Sequence, residues 1–113
     1  MHELAIAQNV IESVLARTGD QQVMVVRLRI GRLAGVVRDA FEFSFELAAA
    51  GTPLEGAVLE IEEPEGLLRC RRCDRVSARD DLILLCDCGS ADVEVISGRE
   101  LEIVSVRVAE GAV

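Results

Sequence analysis

Cys70-Arg71-Arg72-Cys73 at one end and Cys86-Asp87-Cys88-Gly89 at the other bracket a twenty-residue stretch that holds every cysteine of the chain. Two residues separate the first thiol pair, twelve lie between the pairs, and Asp87 alone separates the second pair. Two close thiol pairs joined by a short loop bring four sulfurs to the corners of a tetrahedron, the arrangement of a closed structural zinc site. Disulfides and a redox Cys-x-x-Cys are the alternatives. The N-terminal residues do not read as a secretory leader, so an oxidising compartment is not expected. Arg71 and Arg72 favour a thiolate at a redox pair, but such a pair has no use for a second pair of thiols. The reading is a four-cysteine zinc knuckle with Cys70, Cys73, Cys86 and Cys88 as ligands.

Residues around the thiols fit a metal. Four thiolates on a divalent cation leave a net double negative charge, which the neighbouring Arg69, Arg71, Arg72 and Arg75 offset. Gly89 permits a tight turn past the last sulfur. The single-residue spacing of Cys86 and Cys88 makes the second loop the tighter one.

At 113 residues the chain is one ordinary domain or a small domain with an appendage. Half of it is hydrophobic, yet it has three Phe and no Trp or Tyr, so the expected core is aliphatic. The knuckle is too short and polar to fold by burial alone, which leaves metal binding to hold it. A formal net charge of −8 argues against phosphate-backbone binding, so no nucleic-acid partner is expected. No apolar run approaches the roughly 20 residues that span a bilayer, so no membrane partner is expected and the chain reads as cytoplasmic.

Leu4, Ala7, Val10, Ile11, Val14 and Leu15 recur at helical spacing, with Glu3 and Arg17 suited to the two ends of the dipole. Met24 to Ile30 alternates as a strand with Met24, Val26, Leu28 and Ile30 inward. A second helix carries Val37, Phe41, Phe45 and Ala48 on one stripe and ends at Gly51 and Pro53; Phe41, Phe43 and Phe45 are all expected in the core. Ala57 to Glu63 alternates again, with Leu59 and Ile61 inward. Leu101 to Val108 is apolar on both faces, which suggests a strand inside a sheet. The fold class is α/β of the α+β kind: two helices on a small three-stranded sheet, with the zinc module inserted before the last strand.

His2 is the single histidine. In a Met-His start, the Met1 amine, the His2 amide nitrogen and the imidazole are consecutive donors that close two fused chelate rings on one ion. Deprotonating a backbone amide needs a polarising ion that favours square geometry, Ni(II) or Cu(II). Three nitrogens leave a fourth place for Glu3, water or a partner's ligand, and an incompletely filled site can pass its ion on.

The start Met1-His2-Glu3-Leu4-Ala5, the two cysteine pairs, Cys88-Gly89-Ser90 and Ser97-Gly98-Arg99-Glu100-Leu101 together resemble the HypA/HybF family of hydrogenase maturation factors across essentially the whole chain. The resemblance implies a nickel metallochaperone, not an enzyme. It carries Ni(II) through His2 as cargo, holds structural Zn(II) with the four cysteines, and works with the GTPase HypB on the [NiFe]-hydrogenase large-subunit precursor. Residues 1–64 and 94–113 then form the nickel-binding domain and 65–93 the inserted zinc-binding domain. The family's second pair usually has two intervening residues, so Cys86-Asp87-Cys88 is a departure that bears on the shape of the zinc site. A zinc-stapled interaction module and a thiol redox protein are the competing functions.

Overall fold

A computed structural model describes residues 2–109. It contains α1 (Glu3–Thr18), β1 (Val23–Ile30), α2 (Arg38–Ala49), β2 (Val58–Glu62), β3 (Gly66–Cys70), β4 (Val76–Arg79), β5 (Val93–Ser97) and β6 (Leu101–Val108). The strands form two three-stranded sheets, ordered β2-β1-β6 and β4-β3-β5. Internal contacts divide the chain into two units. One comprises Met1–Leu28, Val36–Ile61 and Ile103–Val113, and the other Arg29–Gly35 and Glu62–Glu102.

In the first unit α1 packs against α2. Glu3, Ala7, Val10, Ile11 and Val14 form the buried stripe of α1, and Phe41, Phe45 and Ala49 that of α2. Val23, Val26 and Leu28 of β1, with Leu54, complete an aliphatic core around Phe41, which is fully buried. Gly19 closes α1 with its amide on the Leu15 carbonyl, as its position past the last periodic residue suggested. Leu59 and Ile61 lie inward on β2, and Glu60 turns outward to pair with Arg27 at 2.9 Å.

Four expectations change. Leu4 and Met24 are exposed, and their places in the core go to Glu3 and Val23. Val37 is exposed too, because it precedes α2 as its N-cap instead of belonging to the stripe. Phe43 is exposed because a helix turns about 200° over two residues, so Phe43 cannot share a face with Phe41 and Phe45. Strand β6 is an edge strand, since β1 takes the centre; Leu101, Ile103 and Val104 remain exposed on it.

The second unit is more regular than a bare knuckle. β3 pairs antiparallel with β4, Leu68 opposite Ser77 and Arg69 opposite Val76. On its other side it pairs antiparallel with β5, Arg69 opposite Glu94 and Cys70 opposite Val93. Leu68 is buried at the centre of this small sheet. The Arg29–Gly35 segment is tied in by backbone bonds from Gly31 to Glu100, Arg32 to Pro64 and Leu33 to Gly98. Gly98, at φ 106°, lies so close to Gly66 that a Cβ there would come within 2.6 Å of the Gly66 Cα.

Candidate metal centre

The sheet of the second unit delivers the first thiol pair. Cys70 is the last residue of β3, and the chain reverses directly after it: Asp74 donates its amide to the Cys70 carbonyl and Cys70 donates to the Arg75 carbonyl, both at 2.9 Å. Asp74 takes a left-handed φ of 62°, a conformation open to a short polar residue that bonds locally. This turn aims the amides of Arg72 and Cys73 at the Cys70 sulfur, each at 3.4 Å.

The second pair is built by a different loop. Cys86 donates its amide to the Ser90 carbonyl and Gly89 donates to the Cys86 carbonyl, both at 2.9 Å, with Gly89 at φ 92°. The Cys88 amide points at the Cys86 sulfur at 3.5 Å. One intervening residue is therefore enough, because the reversal is completed by Gly89 after the pair instead of within it.

All four Sγ atoms lie within 4.8 Å of one another, with Cys70 and Cys86 buried and Cys73 and Cys88 exposed. The short separations run between the pairs: 3.7 Å from Cys70 to Cys88 and 3.5 Å from Cys73 to Cys86. Zinc–sulfur bonds of about 2.3 Å in a tetrahedron place sulfurs ~3.8 Å apart, so the donor set fits zinc. A redox Cys-x-x-Cys would instead join thiols within one pair, and a disulfide requires roughly 2.05 Å.

Proton affinities point the same way. The amides of Cys73 and Arg72 hold the Cys70 thiol down to about 6. Cys73 moves the other way, up to about 11: the Arg75 amide favours its thiolate, but the sulfurs of Cys86, Cys70 and Cys88 outweigh that effect. Four thiols this close ionise together only when a cation takes up the charge.

Of the expected arginines, Arg71 bonds Asp92 and the Val93 carbonyl, both at 3.1 Å, and so braces β5 against the first loop. The arginine that reaches the second pair is Arg79, which sequence reasoning passed over. Its Nε and Nη2 donate to the Leu85 carbonyl at 3.1 and 2.6 Å, and Nη2 also donates to Asp87 at 2.8 Å. Arg79 thereby grips the chain on both sides of Cys86. The available signal was strand alternation: Ser77 and Arg79 share the half-buried face of β4.

The other candidate site lies in the first unit. His2 occupies the N-cap position of α1, its carbonyl accepting from the Ile6 amide at 2.9 Å. Its imidazole is 55% exposed, with Nε2 3.9 Å from a Glu3 carboxylate oxygen. The Met1 amine, the first donor of the expected chelate, lies outside the described residues. Glu3 is buried, and its Oε2 accepts from the Val37 amide at 3.0 Å. It thus pins the start of α1 to the start of α2. The positive charge at the chain's amino end, and then the Val37 amide, hold its carboxyl well below the usual carboxylate range. Glu3 accordingly stays anionic and fixed beside the exposed imidazole.

Comparison with known proteins gives a consistent result. Residues 1–108 match the sequence model of the family described as hydrogenase/urease nickel incorporation, metallochaperone, hypA. The hydrogenase maturation factor HypA of Nostoc sp. is 42% identical over 110 residues, covering 97% of each chain. That of Streptomyces avermitilis is 49% identical over 117 residues, covering 98% of this chain and 89% of its own. Among solved structures, the Ni metallochaperone HypA from Helicobacter pylori matches with a TM-score of 0.65 and 23% identity, over 96% of this chain and 97% of that one. At that identity the likeness concerns the fold.

Proposed function

The chain belongs to the HypA family, and from that membership we propose that it is a nickel metallochaperone for hydrogenase maturation, with Ni(II) as cargo and Zn(II) as a resident structural ion. The observation that carries this reading is the coexistence of two unlike sites. Cys70, Cys73, Cys86 and Cys88 fill every place around a tetrahedral ion and leave none for exchange. His2 stands half exposed at the start of a helix beside Glu3, whose carboxylate is buried and accepts a bond from the Val37 amide.

A closed thiolate site holds; an exposed, nitrogen-rich site with an unfilled place can release. The Met1 amine, the His2 amide nitrogen and the imidazole are the proposed nickel donors. Glu3 supplies negative charge that offsets the unfavourable field of the helix N-terminus on a cation. Its carboxylate bond to Val37 supports a positioning role. The zinc supplies fixed cross-linking of the β3–β4 turn to the Cys86–Gly89 turn.

In this reading residues 1–64 and 94–113 handle nickel, and 65–93 form the zinc-binding insert. The recipients are the HypB GTPase and the [NiFe]-hydrogenase large-subunit precursor, the setting is the cytoplasm, and the protein makes and breaks no covalent bond of a substrate. The test is His2→Ala: nickel binding is expected to disappear while zinc content stays at one per chain. Unchanged nickel affinity in that variant overturns the assignment.

A further inference from the structure

The face of α2 that turns away from the core carries two large apolar side chains among its charged ones. Phe43 is 64% and Leu47 58% exposed, and they stand four residues apart, one turn above the other on the same ridge. Beside them runs a groove of about 820 Å³ between α2 and the segment leading into β2, floored by Leu54 and Leu59. Isolated exposed apolar residues need no explanation, but a paired ridge along an apolar groove marks a contact surface.

The rim specifies the charge of what enters. Glu42, Glu46 and Glu55 line the groove, and no arginine lines it among the described residues. Arg38 reaches Glu42 at 2.8 Å from outside, which leaves Glu46 and Glu55 to set the sign of the field. A second copy of this chain would bring the same acidic rim against itself, and phosphate-bearing nucleic acid or an anionic lipid surface would be repelled.

We infer that this groove docks a cationic amphipathic helix of a partner protein, whose apolar side chains cover Phe43 and Leu47 and whose Lys or Arg residues meet Glu46 and Glu55. A helix laid in a groove presents anchors at i, i+3, i+4 and i+7, a spacing that matches the one-turn separation of Phe43 and Leu47. The surface lies wholly within the first unit and uses none of the proposed nickel or zinc ligands.

The test uses the full zinc-loaded chain and two fluorescein-labelled helical peptides of identical Leu pattern, one with Lys and one with Glu at the polar positions. Anisotropy titrations are expected to show the Lys peptide binding at least about tenfold more tightly than the Glu peptide, with affinity falling as salt rises. Phe43→Ser with Leu47→Ser is expected to weaken the Lys peptide about tenfold or more, and Glu46→Lys to weaken it at low salt. Leu82→Ser, which alters an exposed apolar residue of the other unit, is expected to change nothing. Circular dichroism and zinc content verify that each variant is folded. Three results overturn the proposal: binding of neither peptide, equal binding of both, or undiminished binding by the Phe43/Leu47 variant. Self-association of the wild type that this variant abolishes also overturns it, because the occupant is then a second copy.

Discussion

Replacing Arg79 with Met removes the cation that grips the second thiol loop while keeping most of the side chain's length. Arg79 is only 20% exposed along its side chain and makes two hydrogen bonds to the Leu85 carbonyl, one to Asp87 and one to the Ala78 carbonyl of its own strand. Bonds of this charged kind contribute about 1.5–3 kcal/mol each when shielded. Asp87, at 64% exposed, contributes toward the surface value of ~0–1 kcal/mol, and water replaces Arg79 at part of the Leu85 carbonyl. Water takes over much of that total once the guanidinium is gone, and the expected loss is the ~10- to 100-fold in zinc affinity typical of residues that orient metal ligands, equivalent to about 1.4–2.8 kcal/mol. Competition against a chromophoric zinc chelator at fixed pH measures it. Arg72→Met is the comparison, since it removes the same formal charge from a side chain exposed beside the first pair. Arg79→Lys is expected to fall between wild type and Arg79→Met, because a single ammonium cannot reproduce the guanidinium fork. Equal affinities for Arg79→Met and Arg72→Met would mean that arginine acts only through bulk charge, and the reasoning from geometry would be refuted.

Phe41→Ala empties the centre of the first unit, where the ring is 0% exposed, and is expected to cost about 3–5 kcal/mol in urea unfolding; a loss below ~1 kcal/mol would show that the core is elsewhere. Gly98→Ala combines a left-handed φ of 106° with a Cβ 2.6 Å from the Gly66 Cα, and is expected to destabilise by about 1–3 kcal/mol, read as a lowered Tm. Removing zinc with a chelator is expected to release the amide protons of β3, β4 and β5 in hydrogen exchange while those of α1 and α2 stay protected. Equal loss in both sets would show that the two units unfold together.

The first helix, the alternation of β1 and β2 and the four thiols were legible because each is a local pattern: apolar residues three and four apart, residues two apart, or fixed ligand spacing. The second sheet was not. Its strands are only four or five residues long and interrupted by Arg69 and Glu94, and their pairing is held as much by the turns that place the sulfurs as by side-chain burial. Strand β6 shows why composition alone misplaces a strand: apolar residues on both faces suit an interior place, yet the sheet order left it an edge. Aromaticity alone places Phe43 in the core, whereas helix geometry turns it outward. Strand alternation marks Arg79 as half-buried, but not as a support of the thiols, because its partners Leu85 and Asp87 follow it across a loop whose path only the structure reveals.

The zinc proposed for the closed thiolate site and the nickel proposed for the amino end of the same chain can be counted in one experiment. The chain contains no lysine, so an amine-selective acetylating reagent adds its group to the α-amine alone. Zinc and nickel are then counted by elemental analysis in the native and acetylated proteins after Ni(II) addition. The expected result is one zinc in both, with one nickel in the native protein and none in the acetylated one. One nickel bound equally well by the acetylated protein would contradict the account, because the cargo would then be held by groups other than the amine, amide and imidazole at the start of the chain.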